Sequence, residues 1–137
     1  MRASHVLLAV LAVEAVDALT RRRWDRRRVF EAARTRATAT GKPLYVVGAP
    51  RAGMATRLLP AYTCGDLCLD LHGCAGCPWT EARDIADLSG YADDSAVVFV
   101  SCVLEYVKDI EGAVAELSRV AGEDLFVVSV PRWSLTA

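Results

Sequence analysis

The sequence lacks an apolar run of the length that crosses a membrane with ease. Its longest, Val6 to Leu19 (VLLAVLAVEAVDAL), carries Glu14 and Asp17 and falls short of the ~20 residues a spanning helix needs. The chain also lacks net charge. Sixteen basic and 17 acidic side chains leave -1, so charge over the whole chain gives no case for nucleic acid as a partner. No segment repeats. Nor is there an even number of cysteines. There are five, four of them between residues 64 and 77, a count that fits reduced thiols better than a finished disulfide framework.

What is present is enough apolar material for one buried core. Apolar residues make up 53% and charged residues 24%, which argues against wholesale disorder in 137 residues. The near-zero charge hides an asymmetry. Arg21, Arg22, Arg23, Arg26, Arg27, Arg28, Arg34 and Arg36 crowd one stretch, and the rest is acidic. The chain therefore divides into residues 1–40, an apolar helix with an arginine-rich continuation, and residues 41–137, a domain of different texture.

Three readings of residues 6–19 stay open. One is a marginal membrane anchor. Another is a signal peptide, with Arg2 as its basic start and Ala15-Val16-Asp17-Ala18 as a small-residue cleavage site. The third is an apolar helix packed on the domain or on a partner. If the segment inserts, the arginines stay cytoplasmic, which makes the protein intracellular, with its α/β domain on the cytoplasmic side of a membrane. Residues 20–40 read as a basic helix, with Trp24, Phe30 and Val29 available to an interface while arginines meet anionic headgroups. A solvated helical linker is the plainer reading. Residues 6–36 together are expected to attach the protein to a membrane surface or a protein partner.

From residue 41 the pattern is α/β. Residues 44–47 (LYVV) are a short β-branched apolar run, as a buried parallel strand requires. Gly48 to Gly53 is a loop, and residues 52–61 fit a helix stopped near Pro60. Strands are predicted at 67–71, 96–101 and 125–130, the last ended by Pro131. Residues 85–88 read as a third, short strand or a turn. Ile110, Val114, Leu117 and Val120 lie at helical spacing. Alternating strands and helices predict a Rossmann-like, doubly wound, mostly parallel sheet, with strands 44–47 and 96–101 adjacent at the switch point. Ligands in such sheets bind beyond the carboxyl ends of the strands. That selects Gly48 and Gly53 in the first loop, Asp70 after the second strand, Asp84 further on, and Ser101 and Cys102 after the strand at 96–101.

Asp93 to Pro131 resembles one segment of the class I S-adenosylmethionine-dependent methyltransferases. It shares an acidic turn, an apolar strand, Leu104-Glu105, then Val107 and Asp109, a helix with Glu116-Leu117 and Arg119-Val120, and a strand ending in Pro. Upstream, residues 46–53 are similar to the family's glycine loop, Asp70 to its ribose-binding acid, and Asp84 to the acid before its adenine-contacting turn. The resemblance implies S-adenosylmethionine as cofactor, held by Gly48, Gly53, Asp70, Asp84 and Ser101, and methyl transfer to an acceptor the sequence does not name. Pro50 and Arg51 occupy the loop where the family has Gly-x-Gly, and Tyr106 stands where members commonly carry His. The family's elements beyond the fifth strand have no counterpart here. These departures keep a second expectation in play, a non-catalytic structural or interaction protein with a degenerate methyltransferase fold.

No residue singles itself out as a proton carrier. Tyr106, Glu105 and His72 are available, but surface Glu and hydrogen-bonded His are common without catalysis. Cys64, Cys68, Cys74 and Cys77 offer four thiolates, yet only Cys74 and Cys77 have zinc-knuckle spacing. Cys68 falls inside a predicted strand. Buried or loop thiols without metal are expected, with Cys102 in the core.

Overall fold

A computed structural model describes residues 2–129. Its elements are α1 (Arg2–Thr40), β1 (Leu44–Val47), α2 (Met54–Leu58), β2 (Leu67–Asp70), β3 (Thr80–Ala82), β4 (Val97–Ser101), α3 (Ile110–Ala121) and β5 (Leu125–Val128). A single 3-10 turn, Leu104–Tyr106, follows β4. The strands form one five-stranded sheet in the order β3-β2-β1-β4-β5. Every pairing is parallel. β1 lies between β2 and β4, so chain direction across the sheet reverses at β1, as the alternation of elements predicts.

The alternation of side chains along the central strands divides the core into two faces. Leu44 and Val46 of β1 with Val97 and Phe99 of β4 face one way. Val47, Val98 and Val100 face the other. All seven are buried. On the second face lies α3, which buries Ala113, Leu117, Val120 and Ala121. Asp109 caps it, its carboxylate accepting from the Gly112 N–H at 2.9 Å.

The first face is covered by α1. Phe30, Ala33 and Ala37 are buried there, and Val29 packs alongside. Spacings of three, four and seven residues put these side chains on one helical stripe. The interface expected for Val29 and Phe30 is thus the protein's own sheet. Arg36 donates to the buried Asp124 carboxylate at 2.7 Å, and Arg34 lies 3.9 Å from Asp66. Neither is part of a free arginine block. The exposed apolar side chains of α1 lie further toward its start, at Leu8, Val10, Val13, Val16 and Trp24. Among the described residues no helix is long and apolar enough to cross a membrane.

Two expectations are corrected here. The first is the place of the third strand: residues 85–88, read as a short strand or a turn, are the turn, whose Ile85 and Leu88 plug the second face. The third strand is Thr80–Ala82, all three residues exposed, paired to β2 through Cys68 and Thr80. It carries no apolar pattern because it is a polar edge strand. The second correction concerns the thiols. Cys64 is bonded to Cys77 and Cys68 to Cys74, with Cα separations of 5.6 and 6.1 Å. Cys102 alone is free, and it is half-buried rather than in the core. The helix expected at 52–61 shortens to α2, and residue 130 with Pro131 lies outside the described residues.

If α1 is part of the fold, Phe30→Ala should cost about 3–5 kcal/mol, the usual loss for an aromatic ring deleted from a core. Urea unfolding of the full chain measures it. A loss under about 1 kcal/mol would mean that α1 is a removable appendage.

Candidate functional site

Parallel pairing brings the carboxyl ends of all strands to one edge of the sheet. Four of the five candidate residues lie along that edge in the strand order. Asp84 follows β3, Asp70 ends β2, Gly48 follows β1 and Ser101 ends β4. Gly53 stands apart. It is exposed and opens α2, its carbonyl accepting from the Arg57 N–H at 3.0 Å and its N–H donating to the Thr56 hydroxyl at 2.9 Å.

Gly48 is a position only glycine fits. Its φ is +106°, and a Cβ there would stand 2.7 Å from the Ser101 carbonyl oxygen and 2.9 Å from the Val103 side chain. The missing side chain therefore lets the chain pass close to the end of β4. Next to it, the Ala49 N–H donates to Asp70 Oδ2 at 3.0 Å. The Asp70 carboxylate, half-exposed, thus joins the first loop to the end of β2. The Arg83 N–H donates to the Asp70 carbonyl at 2.9 Å, which brings the chain beyond β3 to the same place. Asp84 is exposed and accepts from the Ala86 N–H at 3.0 Å, forming the turn it begins.

One residue that the sequence did not single out closes this edge from below. Tyr62 is buried, and its hydroxyl donates toward the Gly48 and Ala49 carbonyls at 3.0 and 3.1 Å. Its ring packs on Phe99, centroids 5.0 Å apart, and on Phe30 at 6.1 Å. Burial pushes the phenol pKa up to about 12, opposed by the nearby Ser101 hydroxyl and the Arg26 charge. Ser101 Oγ is itself buried and makes no hydrogen bond of good geometry. A Tyr preceded by Ala and followed by Thr in a loop has no sequence signature. Only its place beneath the glycine turn makes it notable.

The remaining candidates scatter. Tyr106 and His72 are exposed, and Glu105 Oε1 accepts from the Ser129 hydroxyl at 2.5 Å. Nothing brings these three together around one point. The four clustered cysteines are consumed in disulfides, and among the described residues no group of His, Cys, Asp or Glu is arranged to hold a metal ion. Cys102 adopts φ +53°, an uncommon conformation for a non-glycine residue, at the bend that leaves β4. Its N–H donates to the Val128 carbonyl at 2.8 Å.

Across the sheet, Arg119 organises the segment that leads to β4. It donates to the Leu88 and Tyr91 carbonyls at 2.8 and 2.7 Å, to Asp93 at 2.8 Å and to Glu116 at 3.0 Å. Glu116 in turn accepts from the Leu88 N–H at 2.6 Å. The Arg119 contact, then that N–H, hold the Glu116 carboxyl below its ordinary pKa. The Glu-Leu and Arg-Val pairs noted in the sequence thus fasten α3 to the plug at Leu88. They do not face the carboxyl edge.

No protein-family profile, curated protein or solved structure matches this chain.

The raised Tyr62 pKa gives a signed pH effect. Its folded value, about 12, exceeds the ordinary value of 10.0, so the fold favours the neutral phenol. Stability is intact below pH 10 and declines as pH rises toward 12, by about 2–3 kcal/mol from this residue. Tyr91, also pushed up to about 12, adds a second contribution. Denaturant titrations from pH 9 to 12 should show a shallower decline in Tyr62→Phe than in the parent chain. An unchanged slope would mean that the phenol is not held neutral by the fold.

Proposed function

We propose that residues 41–129, with the packed part of α1, form a Rossmann-like domain of the methyltransferase kind that binds the nucleoside part of S-adenosylmethionine at its carboxyl edge. The row of Asp84, Asp70, Gly48 and Ser101 across four adjacent strands carries this reading. Carboxylates on that edge accept hydrogen bonds from ribose hydroxyls in dinucleotide-binding sheets, and Asp70 ends β2, the strand next to β1, where the order reverses.

The fit is unequal along the edge. Asp70 and Asp84 suit a nucleoside: both carboxylates reach solvent, and the chain around them is fixed by its own hydrogen bonds. The glycine-loop end suits the cofactor's amino-acid portion poorly. The space a Gly48 side chain would take is used by the Ser101 carbonyl and Val103. Tyr62 holds the carbonyls of the loop. S-adenosylmethionine supplies an activated methyl group, and methyl transfer rests mainly on alignment of donor and acceptor. No residue here is assigned a catalytic step, and no acceptor is named. A second reading, a non-catalytic binding or structural protein, is favoured by the Tyr62 contacts.

Calorimetry of the full chain with S-adenosylmethionine separates the two. Saturable heat is expected. Asp70→Asn should weaken binding by about 10- to 100-fold, equivalent to about 1.5–3 kcal/mol for a lost charge-assisted hydrogen bond. Absence of heat from the folded full chain would sink the cofactor reading and leave the non-catalytic one.

The first half of α1 is the attachment element in this proposal, serving a membrane surface or a protein partner. Leu8, Val10, Val13, Val16 and Trp24 support it, since they are exposed on a domain whose sheet face is already covered. The two disulfides favour an oxidising setting, against the cytoplasmic side implied by the arginine block. Deleting residues 2–20 leaves Phe30, Ala33 and Ala37 in place. The full chain should float with vesicles or self-associate, and the shortened chain should do neither. Identical behaviour of the two would end the attachment reading.

A further inference from the structure

α1 runs against the strands, and this places its arginines. Arg36 meets Asp124 at the amino edge of the sheet, just before β5. Ten residues earlier, at 1.5 Å per residue, the helix has risen about 15 Å, the length of a four- or five-residue strand. Arg26 consequently lies near the carboxyl edge, where its charge reaches Tyr62. Between this part of α1 and the segment 60–63 is a cavity of about 260 Å³. Arg23, Arg27, Phe30 and Glu31 form its helical wall, and Pro60 to Thr63 form the other.

The arginines divide sharply by partner. Arg28 pairs with Asp25, Arg34 with Asp66 and Arg36 with Asp124. Among the described residues Arg23, Arg26 and Arg27 have no ion pair. Arg23 Nε and Arg26 Nε are moreover buried without a hydrogen-bond acceptor. A buried donor left unmatched is costly, and in folded proteins such donors are nearly always satisfied by some partner, water or ion. Here the unmatched Nε of Arg23 belongs to a residue lining a cavity beside Arg27. The rings of Phe30 and Tyr62 supply an apolar floor, which strengthens charge interactions above it.

We propose that this cleft binds a phosphate group, with Arg23 and Arg27 as its ligands and Arg26 adding charge from the side. The guanidinium fork matches phosphate oxygens in pairs, and an oxygen acceptor would satisfy the stranded Nε. The group is carried by a soluble phosphate ester or by a lipid headgroup. The proposal does not rest on the cofactor reading, since none of the residues involved belongs to the row at Asp70.

Glu31 gives the test a sign. As the one carboxylate lining the cleft, it repels an anion, so neutralising it must tighten binding if phosphate is the ligand. The full chain is titrated with inorganic phosphate, followed by amide NMR shifts at constant ionic strength. Saturable shifts at residues 23–31 and 60–63 are expected. R23Q/R27Q should weaken binding by about tenfold or more, and E31Q should tighten it by about twofold. Far-UV circular dichroism checks that each variant is folded, and R27Q alone, at an exposed position, serves if the double variant is not. Vesicles of phosphatidylglycerol, compared with phosphatidylcholine, identify the source. Binding to the former that R23Q/R27Q abolishes points to a lipid headgroup, and phosphate binding without it points to a soluble ester. The proposal is overturned if the parent chain binds neither phosphate nor anionic vesicles, if R23Q/R27Q or the folded R27Q binds like the parent, or if E31Q weakens binding.

Discussion

Phe30 meets Phe99 edge to face at 5.4 Å, and Tyr62 closes the group at 5.0 Å from Phe99. This three-ring contact joins helix α1, strand β4 and a loop that has little other apolar burial. Each ring contributes on the order of 1 kcal/mol beyond its buried area through such geometry. Its larger effect is positional. It seats α1 on one face of the sheet, so that β1 and β4 are buried on both sides, as an all-parallel sheet requires. It also fixes where the arginines of α1 stand, because the helix cannot slide without breaking the contacts of Phe30 with Phe99 and Tyr62.

The carboxyl edge gains its shape from the same contact. The Tyr62 ring is held by the aromatic group while its hydroxyl reaches the Gly48 and Ala49 carbonyls. The loop is also held by its N–H groups, Gly48 donating to the Leu69 carbonyl at 2.9 Å and Ala49 to the Asp70 carboxylate at 3.0 Å. The loop is therefore gripped at its carbonyls by a phenol and at one N–H by a carboxylate. Glycine at position 48 is what lets both grips form, since any side chain there meets the Ser101 carbonyl. Here the glycine serves close packing of the protein on itself, where in a nucleotide-binding turn it would admit a ligand.

Much of the fold was legible because parallel strands buried on both faces must be continuous apolar runs. LYVV and VVFVS are such runs, LFVV is as apolar although it is a half-buried edge strand, and α3 is marked by its spacing. Three things were not legible. Thr80–Ala82 is a strand by pairing alone, with no composition to mark it. Phe30, Ala33 and Ala37 form an apolar stripe, but it sits in a run of arginines whose charge masks it in any average. The cysteine pairing follows from which loops the sheet brings together, and the odd total, set by Cys102 far away in sequence, pointed the wrong way. At the site, Asp70, Gly48 and Ser101 could be picked out because position after a strand is itself a topological signal, whereas Asp84 was named on the family resemblance, the strand before it not being foreseen. Tyr62 could not, because its role depends on contacts made by a loop.

The disulfides explain how a segment so poor in apolar residues holds Asp70 still. Between β2 and β3 the chain offers little to bury beyond Cys74 and the half-buried Cys77. Cross-linking removes conformational freedom from the unfolded chain where burial supplies little stabilisation. Cys68 precedes Asp70 on β2 and is bonded to Cys74, so the carboxylate lies inside a short closed loop. The Thr80 hydroxyl finishes the closure. It donates to the Cys68 carbonyl at 2.9 Å and accepts from the Cys74 N–H at 2.7 Å, tying the exposed edge strand to the cross-link. Cys68 Sγ also lies 3.8 Å from the Gly48 carbonyl, beneath the same loop that Tyr62 holds. The geometry of the edge thus has two supports that meet in one buried cluster, the aromatic packing of Phe30, Tyr62 and Phe99 and the cross-link between Cys68 and Cys74.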